Sequence, residues 1–154
     1  MRPDEYWSPL LPRVACAAAW AWLALVLAAP FGAGGAPLSA AAYALGSLVC
    51  HQQSARSFHL AGAQLPVCAR CAGLYVGAAL GAVVPLVLRT FRQDPGLSRM
   101  RMLLVVSAVP TLATWGAEAA RLAEPSNLTR ALAAVPLGLI VAATIVATAD
   151  GRLR

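Results

Sequence analysis

Val14–Ala33 reads VACAAAWAWLALVLAAPFGA and contains no charged residue. A helix of that length rises about 30 Å, the thickness of a bilayer's hydrocarbon core. Pro30 and the run Gly32-Ala33-Gly34-Gly35 end it. A cleaved signal peptide is the competing reading, but Asp4 and Glu5 spoil the positive leading segment and the apolar run is long for one. A retained span is therefore expected. The charge-free run extends further still, since nothing between Arg13 and Arg56 is acidic or basic apart from His51.

The rest of the chain fits this start. Of 154 residues, 60% are hydrophobic and 12% charged, against about 25% charged in a soluble domain. So little polar surface does not cover a water-soluble α-helical core, and several uncharged runs are long enough to cross a bilayer. The expected fold is a single all-α integral membrane domain, a polytopic helical bundle over residues 1–154. The net charge of +6 does not indicate a nucleic-acid binder. All twelve basic residues are arginine, placed at the ends of apolar runs, as helical membrane proteins place them. A phosphate-binding patch would interleave arginine with aromatic or polar residues on one face.

Further spans are expected at 71–88, 102–117 and 131–149, with Pro85, Pro110 and Pro136 inside helices whose neighbours compensate the lost hydrogen bonds. A shorter helix at 38–50 carries Leu38, Ala41, Leu45, Leu48 and Val49 on one stripe. It rises about 20 Å, too little for a full crossing, so a re-entrant or interfacial helix is expected, with a short span as the alternative. With four spans, Arg2, Arg13, Arg89, Arg92, Arg99, Arg101, Arg152 and Arg154 share one side, and Arg56, Arg70, Arg121 and Arg130 the other. If 38–50 crossed, the split would become even. The positive-inside bias thus favours four spans, both termini in the cytoplasm and the loop 50–71 on the extracytoplasmic side. Gly73, Gly77 and Gly81 recur every fourth residue. Such a face packs closely within a bundle or, as a second use, builds a homodimer.

The loop holds the chemistry. Cys50-His51 and Cys68-Ala-Arg-Cys71 put three of the four cysteines beside both histidines, His51 and His59. Four cysteines at this length do not make a disulfide scaffold, and the isolated Cys16 reads as a small buried hydrophobe. Pro66 suits a helix's first turn. A helix from there would set Cys68 and Cys71 on one face, near the positive end of its dipole, which favours thiolate. Cys50, His51, Cys68 and Cys71 would then form a Cys3His set of the kind zinc favours, with iron or copper as alternatives. His59 is a substitute for His51. Adjacent ligands at 50 and 51 diverge, so the alternative is that one of them orients a ligand or water instead. Arg56 and Arg70 either snorkel at the interface or bind anions and stabilise thiolates. Glu118 and Arg121, three residues apart, read as a surface pair, or Glu118 faces the bundle. The sequon Asn127-Leu128-Thr129 reads as chance.

These residues carry a resemblance. Cys50-His51-Gln52, Arg56-Ser57-Phe58 and Pro66-Val67-Cys68-Ala69-Arg70-Cys71, followed by Gly73, Tyr75 and Gly77, closely resemble the signature of the DUF2085 family of bacterial membrane proteins. The likeness extends more loosely through Pro110, Ser126-Asn127, Arg130 and Gly138. It implies a small polytopic membrane protein and no particular activity. Trp115-Gly116 stands where the family pattern has Asp-Gly, so an activity using that acid would be lost here or taken over by Glu118.

Three functions follow from the residues. One is a metal-binding membrane protein. Another is a thiol-disulfide oxidoreductase working through Cys68 and Cys71, although Cys50 then has no partner except Cys16. The last is a non-catalytic lipid-binding or helix-binding component whose cysteines form a structural staple.

Overall fold

The computed structural model describes residues 10–32, 34–87 and 97–149. Asp4, Glu5, Arg2, Arg89, Arg92, Arg152 and Arg154, and the expected span ends Ala33 and Leu88, lie outside these residues. Helix α1 (Leu10–Ala28) runs into a 3-10 turn (Ala29–Phe31) and is followed by α2 (Ala36–Val49). A second 3-10 turn (Ser54–Arg56) leads to an antiparallel hairpin of β1 (His59–Leu60) and β2 (Ala63–Gln64). Then come α3 (Ala69–Val87), α4 (Leu97–Ala119) and α5 (Asn127–Ala149).

Four segments are long and apolar enough to cross a bilayer: Leu10–Phe31, Ala69–Val87, Ser98–Ala119 and Asn127–Ala149. The fold is thus the expected all-α membrane bundle with one additional short helix. All four spans start earlier than their uncharged runs, because the helices continue through Arg13, Arg70, Arg99 and Arg101, and Arg130. Arginine is a good helix former and its stem can lie along apolar surface while its head reaches water. A basic residue therefore marks the membrane edge rather than the end of the helix. Outward-facing Val105, Val106, Val109, Leu112 and Trp115 on α4 are exposed in the bare protein, and lipid is the environment that covers such a face.

The bundle is built on α3 and α5. A methyl added to Gly73, Gly77 or Gly81 would overlap the carbonyls of Ala131, Val135 or Leu139, and one added to Gly138 would overlap that of Leu74. The two backbones touch through reciprocal glycines, as small-residue faces permit. The stripe is filled by α5 of the same chain, so packing within the bundle is its use and it offers no surface to a second copy. Helix α1 packs on α3, and α4 on α5. Thr111 Oγ1 of α4 donates to the Ala133 carbonyl at 2.9 Å, and Thr144 Oγ1 of α5 to Met100 Sδ at 3.0 Å. Cys16 packs as a small hydrophobe against Ala82, Ala142 and Val146.

Both ends of α2 stay at one end of the bundle. Ser39 Oγ donates to the Ala29 carbonyl at the end of α1 (2.9 Å), and Cys50 meets Cys68 at the start of α3. The helix lies across that end of the bundle and does not run along it. Its apolar stripe faces outward, with Leu38, Leu45, Leu48 and Val49 exposed, while the small residues Ala42 and Gly46 are buried.

Candidate metal centre

Cys50 caps the C-terminus of α2 in an extended conformation. The chain then turns through Gln52, whose φ of 48° is left-handed and costly for a residue with a side chain. That conformation is held on three sides. Gln52 Nε2 donates to the carbonyls of Tyr43 and Pro66, each at 2.8 Å, and Gln64 Nε2 donates to the Gln52 carbonyl at 2.6 Å. The Tyr43 hydroxyl donates to the Gln64 carbonyl. Gly46 lets α2 lie directly against the Pro66 carbonyl, where any methyl would collide.

The hairpin turns at Ala61-Gly62, both with positive φ, the two-residue turn that suits antiparallel strands. Leu65 N donates to the Phe58 carbonyl at 2.8 Å and prolongs the pairing. Leu65 and Val67 are buried with Val26, Cys50 and Ala72. Tied down in this way, the chain through Pro66 and Val67 bends and is not yet helical. Helix α3 begins at Ala69 rather than near Pro66, and Cys68 is its capping residue, with its carbonyl accepting from Ala72 N at 2.9 Å.

This path brings three thiols together. The Sγ atoms of Cys50, Cys68 and Cys71 lie within 4.8 Å of one another, and Cys68 N donates to Cys50 Sγ at 3.1 Å. All three thiols are free. The Cys71 thiol, hydrogen-bonded to Cys68, pulls the Cys68 pKa down, against burial, which acts the other way. A thiol held as thiolate is the form that binds metals and attacks disulfides. A cavity of about 390 Å³ opens on the three cysteines. His51 lines this cavity but is exposed and outside the convergent set. His59 is exposed on β1, with Nε2 3.2 Å from Ser54 Oγ. Among the described residues, the set that could hold a metal ion is three cysteines without a histidine. Cys16, packed beside Ala82, lies over three helical turns along α3 from Cys68 and is remote from the set.

Arg56 and Arg70 meet a partner the sequence did not suggest. Glu118 Oε1 lies 2.9 Å from both Arg56 Nη2 and Arg130 Nη2, and Oε2 lies 3.2 Å from Arg70 Nη2. Glu118 thus faces inward and does not pair with Arg121, which takes the left-handed position that closes α4 (φ 58°). Asn127 extends the network. Its Oδ1 accepts from Arg130 Nη1 at 2.9 Å and its Nδ2 donates to the Ser57 carbonyl at 3.1 Å. Ser126 caps α5, accepting from Thr129 N at 3.1 Å. Arg130 and Asn127 were not among the residues singled out as the site. The signal available for them was their place in the looser part of the family pattern. Trp115 is exposed on α4, and the acid that reaches the cluster from this helix is Glu118.

An uncharacterized protein of Methanocaldococcus jannaschii is 45% identical over 47 residues, which is 30% of this chain. The chain covers 30% of that relative's length. No solved structure matches. The family model described as "Predicted membrane protein (DUF2085)" matches residues 50–144, from the first clustered cysteine into the last helix. That range holds the cysteine cluster, the arginine–glutamate network and the glycine contact between α3 and α5, and the chain belongs to the DUF2085 family.

Proposed function

We propose that Cys50, Cys68 and Cys71 bind one metal ion, zinc first and iron or copper as alternatives, at the extracytoplasmic surface of a bacterial plasma membrane. The observation that carries this reading is the convergence of three sulfurs within 4.8 Å. Zinc–sulfur bonds of 2.3 Å in a tetrahedron need sulfurs about 3.8 Å apart, a small adjustment from there. His51, on the wall of the same cavity, is the fourth ligand in this reading. Where it stays turned to solvent, the fourth position is open to water, and a metal would act there as a Lewis acid. The arginine distribution supports the orientation. Arg70 and Arg130, on the cysteine side, pair with Glu118 within the fold, and in this reading the segments before α1 and after α5 face the cytoplasm.

The depressed pKa of Cys68 and its contact with Cys71 also suit a thiol-disulfide oxidoreductase. That reading lacks a second pair, since Cys16 is remote. Metal analysis of detergent-purified protein, with thiols counted before and after chelation, separates the two. The expected result is about one equivalent of metal and thiols that react only once it is removed. Cys68→Ser and Cys71→Ser should lose the metal and Cys16→Ser should keep it. A metal-free protein with a Cys68–Cys71 disulfide opened by dithiothreitol would transfer the assignment to redox chemistry. A metal-free protein with freely reactive thiols would overturn both.

A further inference from the structure

We propose that Arg56, Arg70 and Arg130 form an oxyanion site, and that the cavity between them and the cysteines takes a phosphate-bearing ligand. All three arginines line that cavity of about 390 Å³, and among the described residues no carboxylate does. Its volume falls within the range of small-molecule sites. A larger cavity, of about 630 Å³, lies on the other side of the network, but both Glu118 and Glu124 line it and offset its arginines.

The guanidiniums have capacity to spare. Each gives one Nη2 to Glu118 out of five N–H donors. Arg130 is only 10% exposed and Arg70 19%, and the Nε atoms of both are buried without a partner. Buried donors left unpaired are costly, so a ligand that shifted the guanidiniums enough to pair them would relieve that cost. The charge count points the same way. Three guanidiniums against one carboxylate leave two positive charges. The planar fork of arginine matches the paired oxygens of phosphate. Val49 and Leu74 give the cavity an apolar wall, which would accept the non-phosphate part of such a ligand. The proposal rests on the metal reading only for what stands opposite the arginines.

The test uses the full chain in phosphatidylcholine nanodiscs, titrated calorimetrically with inorganic phosphate, and in discs containing phosphatidylglycerol, with retained lipid identified by native mass spectrometry. Arg56→Gln is the informative variant, because that side chain is 48% exposed and its loss spares the packing. Arg121→Gln, outside the cavity, is the control. Either saturable phosphate binding or selective retention of phosphatidylglycerol is expected, weakened about ten-fold or more by Arg56→Gln and little changed by Arg121→Gln. Phosphate binding in phosphatidylcholine discs assigns a soluble phosphate. Retention of phosphatidylglycerol that phosphate does not displace assigns a lipid headgroup. Failure of both ligands to bind, or binding unaffected by Arg56→Gln, overturns the proposal. Metal content measured on the same samples keeps the two readings apart: metal without anion binding removes this inference alone, and anion binding without metal removes the metal reading alone.

Discussion

At Glu118 three guanidiniums from three segments meet one carboxylate that is only 11% exposed. Removing one partner of a buried, hydrogen-bonded ion pair costs about 3–5 kcal/mol, because the remaining charges stay buried without a counter-ion. Glu118→Gln should therefore lower unfolding free energy in detergent by about 3 kcal/mol, and adding Arg130→Gln should recover part of the loss. Thermal or denaturant unfolding of the single and double variants checks this, and an unchanged midpoint in the single variant would show that the network contributes nothing to stability. The residue was visible in the sequence but its partners were not. Local spacing offered Arg121, three positions away, whereas Arg70 lies 48 positions before it and Arg130 twelve after. No helical periodicity connects residues so separated, and only the pairing of α3 with α5 and the return of α4 bring them together. The cysteines were easier to read because they are scarce and clustered. His51 follows Cys50 directly, and it stands outside the convergent sulfurs because neighbouring side chains in an extended segment point apart.

Among the helices, the α3–α5 contact is the closest, with glycines of each lying under carbonyls of the other. Gly77→Ala should force the pair apart at a cost of about 1–3 kcal/mol, the usual range for overpacking. Gly116→Ala, where a methyl meets nothing within 4 Å, should be neutral or slightly stabilising, since alanine is the better helix former by about 1 kcal/mol. Unfolding measurements on the two variants make the comparison, and equal effects would show that the glycine stripe is not the bundle's central contact. The four-residue recurrence of Gly73, Gly77 and Gly81 was plain in the sequence, but its partner was not, because a stripe of glycines describes one surface and not the surface facing it. Helix α2 shows the converse. Its apolar stripe was read correctly as a helix face, yet it is the small residues Ala42 and Gly46 that turn inward. In a membrane, apolarity does not tell the inside from the outside, whereas small size does.

Across the whole molecule, four helices are long and apolar enough to cross a bilayer, and four crossings would put the start of α1 and the end of α5 on the side opposite the cysteines. With the arginine bias, a phosphatase reporter fused after Arg154 should be inactive and a fluorescent reporter that folds in the cytoplasm should be active. The reverse pattern would place the cysteines in the cytoplasm and remove the extracytoplasmic assignment. The number of spans was legible from the lengths of the uncharged runs. The strained turn at Gln52 was not, because it is held by Tyr43, Gln64 and Pro66, which lie 9 to 14 residues away in the chain. The same network has a consequence for biosynthesis. Cys50, Cys68 and Cys71 all precede Glu118 and Arg130 in the chain, and a chain folds from its N-terminal side as it leaves the ribosome. The thiols can therefore gather once α3 is in place, while Arg56 and Arg70 still lack their carboxylate. The growing protein passes through a stage in which its cysteines are assembled and its guanidiniums are uncompensated, and only the arrival of the last two helices ends it.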